Sequence, residues 1–255
     1  MVFDELKVEV FKSRDEMGKK ASDDVKRSIK DLLEKQEEVN MVFAAAPSQN
    51  DFFDYLTEEK DVEWNRVNAF HMDEYIGLEK THPSAFSNFL QDKVFKHLPL
   101  KSAHFIDGLS DPNQECRRYA ELLIENPVDI VIMGIGENGH IAFNDPDVAD
   151  FNDPEDVKIV VLDEMSRKQQ VNDGCFNNID EVPTHAITLT IPRLLNAKYV
   201  YCIVPTERKA QAVKDALYNP ISVQCPASIL RTKSGSILYL DQDAAMYLEE
   251  KDEEN

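Results

Sequence analysis

The sequence predicts an α/β fold with a mostly parallel open sheet and helices on both faces. Two patterns carry that prediction. Short apolar runs rich in β-branched and aromatic residues alternate with segments whose apolar residues recur at helical spacing. Apolar strands alternating with helices belong to sheets covered on both sides. No internal repeat or low-complexity linker interrupts the 255 residues, and eight glycines are too few for flexible spacers. A single domain over residues 1–255 is therefore expected.

The elements follow in order. "LKVEVF" reads as the first strand, and residues 15–37 as a helix with Val25, Ile29, Leu32 and Leu33 on one face. "VNMVFAAA" is a strand leading into a helix that begins near Ser48, a suitable N-cap. "VNAFHMD" ends at Asp73, "DIVIMGIG" at Gly136, and "HAITLTI" before Pro192. "YVYCIVP" runs to Thr206 with the helix "ERKAQAVKDALY" behind it, and "SILYLD" precedes a last short helix. Ligands of such sheets bind outside the carboxyl ends of the strands. That rule selects the loops at 44–49, 73–77, 134–146 and 205–209. Residues 147–185 are less regular and suit a lid over that edge.

A formal net charge of −20 sets up a field that repels nucleic acid and acidic membrane surfaces, so neither is expected as a partner. The same field opposes anionic substrates, and a phosphate then needs local donors. Part of the charge lies in "YLEEKDEEN", where a disordered acidic tail is expected near 248–255. "MVFDELKVEV" lacks the pattern of a signal peptide, and no apolar run approaches membrane-spanning length. The expected location is the cytoplasm. Cys116, Cys175, Cys202 and Cys225 lie more than twenty residues apart and read as reduced and structural. The oligomeric state is left open, a homo-oligomer included.

Three constellations carry candidate chemistry. "MGIGENGHIAFNDP" holds Gly134, Gly136 and Gly139, a literal G-x-G-x-x-G. It sits in mid-chain instead of after the first strand, and His140 and Phe143 interrupt the helix that should follow, so a nucleotide is not expected. "HMDEY" puts Asp73 where its strand runs out; on an extended strand His71 and Asp73 share a side. A metal site would recruit His71, His82, His104 or His140, but no H-x-x-x-H or H-E-x-x-H pair exists, and none is expected. Finally, Thr206, Arg208 and Lys209 open a helix, where free N–H groups and a lysine suit an anion.

Together these residues resemble the glucosamine-6-phosphate deaminase (isomerase) family, which shares its fold with 6-phosphogluconolactonases. The likeness runs from about Asn68 to Asp241 and is most specific in "MDEYIGL" and "NGHIAFN". The continuation "GHIAFN" favours the deaminase branch. The resemblance implies a modified Rossmann-like fold and a reaction without cofactor or metal: glucosamine 6-phosphate and water give fructose 6-phosphate and ammonia. It implies that His140 opens the sugar ring, a proton shuttle that suits imidazole, and that Asp73 moves the C2 proton to C1. Asn138 and Asp145 are the expected supports of His140. Ser48, Gln49 and Lys209 are expected at the phosphate, with Gly136, Gly139 and Ala142 against the sugar.

Several positions depart from the family. Asn138 stands where many members carry Asp, and an amide forgoes a charge-assisted hydrogen bond of about 1.5 to 3 kcal/mol; an altered pH profile is expected. Asp145 replaces a glutamate and is shorter by about 1.5 Å. "AAAPSQ" replaces a glycine-rich phosphate loop, with Pro47 removing one donor. The family's lid arginine has no counterpart, since no arginine occurs between Arg167 and Arg193. The acidic "DVADFNDPED" argues against activation by a second sugar phosphate. These departures leave galactosamine 6-phosphate isomerisation and lactone hydrolysis as enzyme alternatives, and a non-catalytic sugar-phosphate sensor as the alternative of another class.

Overall fold

The computed structural model describes residues 1–58 and 61–248. Its elements are β1 (Val2–Phe3), β2 (Leu6–Phe11), α1 (Arg14–Leu33), β3 (Val39–Phe43), α2 (Asn50–Glu58), β4 (Val67–His71) and β5 (Asp73–Tyr75). Then come α3 (Phe86–Lys93), β6 (Ser102–His104), α4 (Pro112–Glu125), β7 (Ile130–Met133), β8 (Val157–Val161) and α5 (Glu164–Asn172). The chain continues with β9 (His185–Leu189), α6 (Ile191–Leu195), β10 (Tyr199–Val204), α7 (Ala210–Tyr218) and β11 (Ser236–Asp241).

The main sheet runs β1-β2-β11-β10-β7-β3-β4-β6. Only the β1–β2 pair in it is antiparallel. The predicted α/β class with a mostly parallel sheet is thus observed. Helices cover both faces. Val25 and Ile29 of α1, Phe52 of α2 and Leu90 of α3 pack into one core, and Tyr119 of α4, Leu194 of α6 and Val213 of α7 into the other. α1 forms where the sequence places Met17, Ala21, Val25, Ile29 and Leu32 on one buried stripe behind an N-cap, Ser13, whose hydroxyl accepts from the Glu16 N–H. It closes on α2 at Gly18, where a Cβ would lie 2.7 Å from the backbone of Asp51.

Chain order reverses between β3 and β7: from β3 the chain proceeds outward to β4 and β6, and from β7 to β10 and β11 on the other side. The loops leaving these two neighbours diverge and open a crevice at their carboxyl ends.

Several sequence-based boundaries are corrected. α1 stops at Leu33, short of residue 37. "VNAFHMD" is not one strand. The β3–β4 ladder ends at Phe43 and His71, and from Asp73 the backbone finds its partners in β9. "HAITLTI" accordingly joins a second, antiparallel sheet, β5-β9-β8, rather than the main one. Ser48 is no N-cap: it lies inside a 3₁₀ turn, Pro47–Gln49, that precedes α2. After β11, residues 242–248 form turns instead of a helix, with the Asp241 carboxylate holding the Ala244 N–H at 2.8 Å. Residues 249–255, most of the expected acidic tail, lie outside the described residues.

Candidate active site

The crevice between β3 and β7 is a cleft open to solvent. All four loops selected from the sequence contribute to it: Ala44 to Ala46 and Ser48, Asp73, Gly134 to Gly136 with His140 and Ala142, and Lys209. Segment 147–185 adds Gln169 and Gln170 from α5, and α3 adds Phe86.

Asp73 begins β5, and its burial in the cleft wall follows from the switch of the chain between sheets at Met72. The Met72 N–H donates to Phe43 in one sheet while its carbonyl accepts from Leu189 beside the other. Burial first, and then the charge of Glu74, hold the Asp73 carboxyl well above the usual carboxylate range. Nothing donates a hydrogen bond to it among the described residues. Glu74 points away and accepts from the backbone N–H groups of Tyr75, Phe86 and Ser87 at 3.0, 3.1 and 2.9 Å, tying β5 to the start of α3. His71 does not join Asp73 in the cleft wall. Its ring is fully buried in the main sheet, its Nε2 accepts the Ile106 N–H at 2.7 Å, and burial lowers its pKa to about 3. His82 stacks on Phe176 elsewhere. Among the described residues no group of three or more His, Cys, Asp or Glu is arranged to hold a metal.

His140 reaches the cleft because its loop has glycines where side chains would collide. A Cβ on Gly136 would lie 2.2 to 2.4 Å from the imidazole, and Gly139, at φ +84°, would drive one into Cys225 Sγ at 2.7 Å. Neither Asn138 nor Asp145 lines the cleft; both stand behind the ring. His140 Nδ1 lies 2.8 Å from Asn138 Oδ1 and 3.0 Å from Asp145 Oδ1, and Asn138 Nδ2 donates to the same carboxylate oxygen at 3.0 Å. Burial alone would raise the Asp145 pKa. The hydrogen bond and charge of His140, then Asn138 and Ser166, instead hold it well below the usual range. The one-methylene-shorter acid therefore still reaches the histidine.

Also in the cleft wall, Lys209 is 6% exposed and, among the described residues, its Nζ has no hydrogen-bond partner. Burial lowers its pKa to about 8, against the opposing pull of Asp173 and Glu137. It sits in a 3₁₀ turn, Glu207–Lys209, entered through Thr206 at φ +83°. That conformation is costly for a β-branched residue. It is held by the Thr206 N–H, which donates to both Asp241 oxygens at 3.0 Å. Neighbouring Arg208 is turned outward to Asp173 and Glu137, at 3.1 and 3.9 Å, so Lys209 is the single cation among the residues lining the cleft. Half-buried Ser48 lines the same cleft, and a buried ammonium without a partner among the described residues carries a desolvation cost that an anion would relieve.

Two expected substrate residues fall elsewhere. Gln49 is fully buried, with its Nε2 bonded to Ile203 O at 3.0 Å and Ser48 Oγ at 3.2 Å and its backbone N–H to Ala46. It braces the 44–49 loop and does not line the cleft. Gly139 packs on Cys225 and does not line the cleft. Sequence reasoning missed Ser166, Gln169 and Gln170: they fall at i, i+3 and i+4 of the polar "EMSRKQQVN" and are all buried, but nothing in that polar run sets them apart from its solvated neighbours.

Comparison with known proteins supplies independent findings. A family described as glucosamine-6-phosphate isomerases/6-phosphogluconolactonase matches residues 12–239. The glucosamine-6-phosphate deaminases of Bacillus cereus (strain B4264) and Bacillus anthracis (strain A0248) are each 36% identical over 217 residues, 85% of this chain and 80% of theirs. Among solved structures, a monomeric glucosamine-6-phosphate deaminase superposes with a TM-score of 0.85 at 27% identity, over 94% of this chain and 99% of that one. The 6-phosphogluconolactonase of Thermotoga maritima superposes at 0.76 with 17% identity, over 92% and 99%, a likeness of fold alone.

Proposed function

The chain belongs to the glucosamine-6-phosphate isomerase/6-phosphogluconolactonase family, and we propose that it deaminates a hexosamine 6-phosphate, glucosamine 6-phosphate foremost. The carrying observation is that one cleft holds a desolvated carboxylate, Asp73, an imidazole, His140, and an unpaired ammonium, Lys209. The deaminase relatives, similar over most of the chain, support this reading over lactone hydrolysis.

The chemistry assigns each group a step. Lys209 and Ser48 take the 6-phosphate. His140 Nε2 moves a proton between the anomeric hydroxyl and the ring oxygen, giving the open-chain aldehyde. The aldehyde acidifies the C2 hydrogen, which Asp73 removes and returns to C1. As an amine hydrogen passes to the former aldehyde oxygen, now the C1 hydroxyl, the C2 amine becomes an imine; water adds to it, and ammonia leaves the C2 ketone, fructose 6-phosphate. A base with a raised pKa is matched to a carbon acid and is the stronger for its desolvation. Phosphorylated sugars do not cross membranes unaided, which agrees with the expected cytoplasmic location.

An ammonia-release assay over glucosamine, galactosamine and mannosamine 6-phosphates, run beside hydrolysis of 6-phosphogluconolactone, tests it. Ammonia from glucosamine 6-phosphate at the highest kcat/KM is the expected result. Lactone hydrolysis without ammonia would overturn the reading, as would tight sugar-phosphate binding with no turnover.

A further inference from the structure

Behind His140 lies a third group that the ring-opening chemistry does not itself require. Ser166, 1% exposed, places its Oγ 2.8 Å from His140 Nδ1 and also bonds Asp145 Oδ1. Donor and acceptor roles follow from the inventory of the groups. Ionised Asp145 only accepts, so the Ser166 hydroxyl donates to it, and the Asn138 NH₂ does so as well. Asn138 therefore turns its oxygen to His140, where it meets both Nδ1 and the backbone N–H, at 2.8 and 3.1 Å. Every group facing Nδ1 is then an acceptor, and Nδ1 carries the hydrogen. Nε2, which makes no hydrogen bond among the described residues, is left to the cleft.

We propose that Ser166 is a positioning residue for His140: its hydroxyl hangs from Asp145 and receives the Nδ1–H, locking the imidazole in place from the first turn of α5. Ser166 is no nucleophile, because its hydrogen is committed to Asp145 on the side of the ring away from the cleft. The lock reaches beyond one bond. Asp145 Oδ2 accepts the backbone N–H of Asp163, the residue whose carboxylate caps α5 through the N–H groups of Met165 and Ser166. One turn further on, Gln169 Oε1 accepts the Glu137 N–H at 2.9 Å, next to the histidine loop. The seat of α5, which brings Gln169 and Gln170 into the cleft wall, and the orientation of His140 thus share Asp145 as their anchor.

This inference rests on His140 as the ring-opening group, and its test has a readout that needs no substrate. In protein labelled with ¹⁵N-histidine, His140 assigned by His140→Asn, the wild type is expected to show a slowly exchanging, downfield Nδ1–H. Ser166→Ala is expected to speed its exchange with solvent at least about tenfold and lower kcat about tenfold, with KM within about twofold. Ser166→Thr keeps the hydroxyl and is expected to restore both. Unchanged exchange in a folded Ser166→Ala protein overturns the proposal, and so does a rise in KM alone, which would make Ser166 a mere seat for α5. If no variant, wild type included, releases ammonia, the functional reading fails while the exchange rate still decides the role of Ser166.

Discussion

The imidazole of His140 occupies the space that a side chain on Gly136 would need: a Cβ there would stand 2.2 Å from Cε1 and 2.4 Å from Nε2. A glycine spacing that imitates a nucleotide fingerprint is thus explained by room for a histidine. Gly136→Ala is expected to displace the ring and lower kcat/KM by about 100-fold, since small misplacements of a catalytic group cost on that order. Steady-state ammonia release checks this; wild-type turnover in the variant would mean that His140 is not the working group.

Asp73→Asn is expected to abolish exchange of the C2 hydrogen with deuterated solvent, with a rate loss of about 10² to 10⁴, while KM stays near the wild-type value. The sign of its pH effects follows from its raised pKa. The base works only when ionised, so the rate should climb with pH through that raised value. The folded state also resists ionising Asp73, which costs stability above the unfolded carboxylate pKa. The variant should therefore melt higher than wild type near pH 7, and a lower Tm would contradict the desolvation argument.

Lys209→Met removes the buried ammonium. It is expected to raise KM for phosphorylated sugars at least about tenfold with a smaller effect on kcat. The folded-state pKa of about 8 against an ordinary 10.5 means that charging Lys209 at neutral pH costs the free protein on the order of 3 kcal/mol. That cost is present below pH 8 and fades as pH rises from about 8 toward 10.5. Inorganic phosphate should raise the wild-type Tm at pH 7 and leave that of the variant unmoved. Equal shifts in calorimetry would move the anion site elsewhere.

Dialysis against a chelator is expected to leave activity intact, because Asp73 and His140 suffice for the proton transfers. Inhibition reversed by a specific divalent ion would overturn that expectation.

Much of this molecule is legible in its sequence. Alternating strand and helix patterns disclose the α/β class, because a sheet buried on both faces must be apolar throughout and its covering helices amphipathic. The rule for the carboxyl ends of strands then points to the four loops that form the cleft, and Asp73, His140 and Lys209 stand out as chemically purposeful residues within them. Local pattern does not reveal partners. "VNAFHMD" reads as one strand, and only the exhaustion of β3 at Phe43 and the free edge of β9 decide that the chain changes sheets at Met72. Gln49 reads as a phosphate donor until the carbonyl of Ile203, 154 residues away, claims it. Ser166 lies 26 residues from His140 on a helix that looks solvated from end to end. Sequence by itself determined which groups are available for the chemistry. Tertiary structure decided which are desolvated, which are paired and which imidazole nitrogen is held by neighbours, because burial and hydrogen bonding arise between segments that the sequence keeps apart.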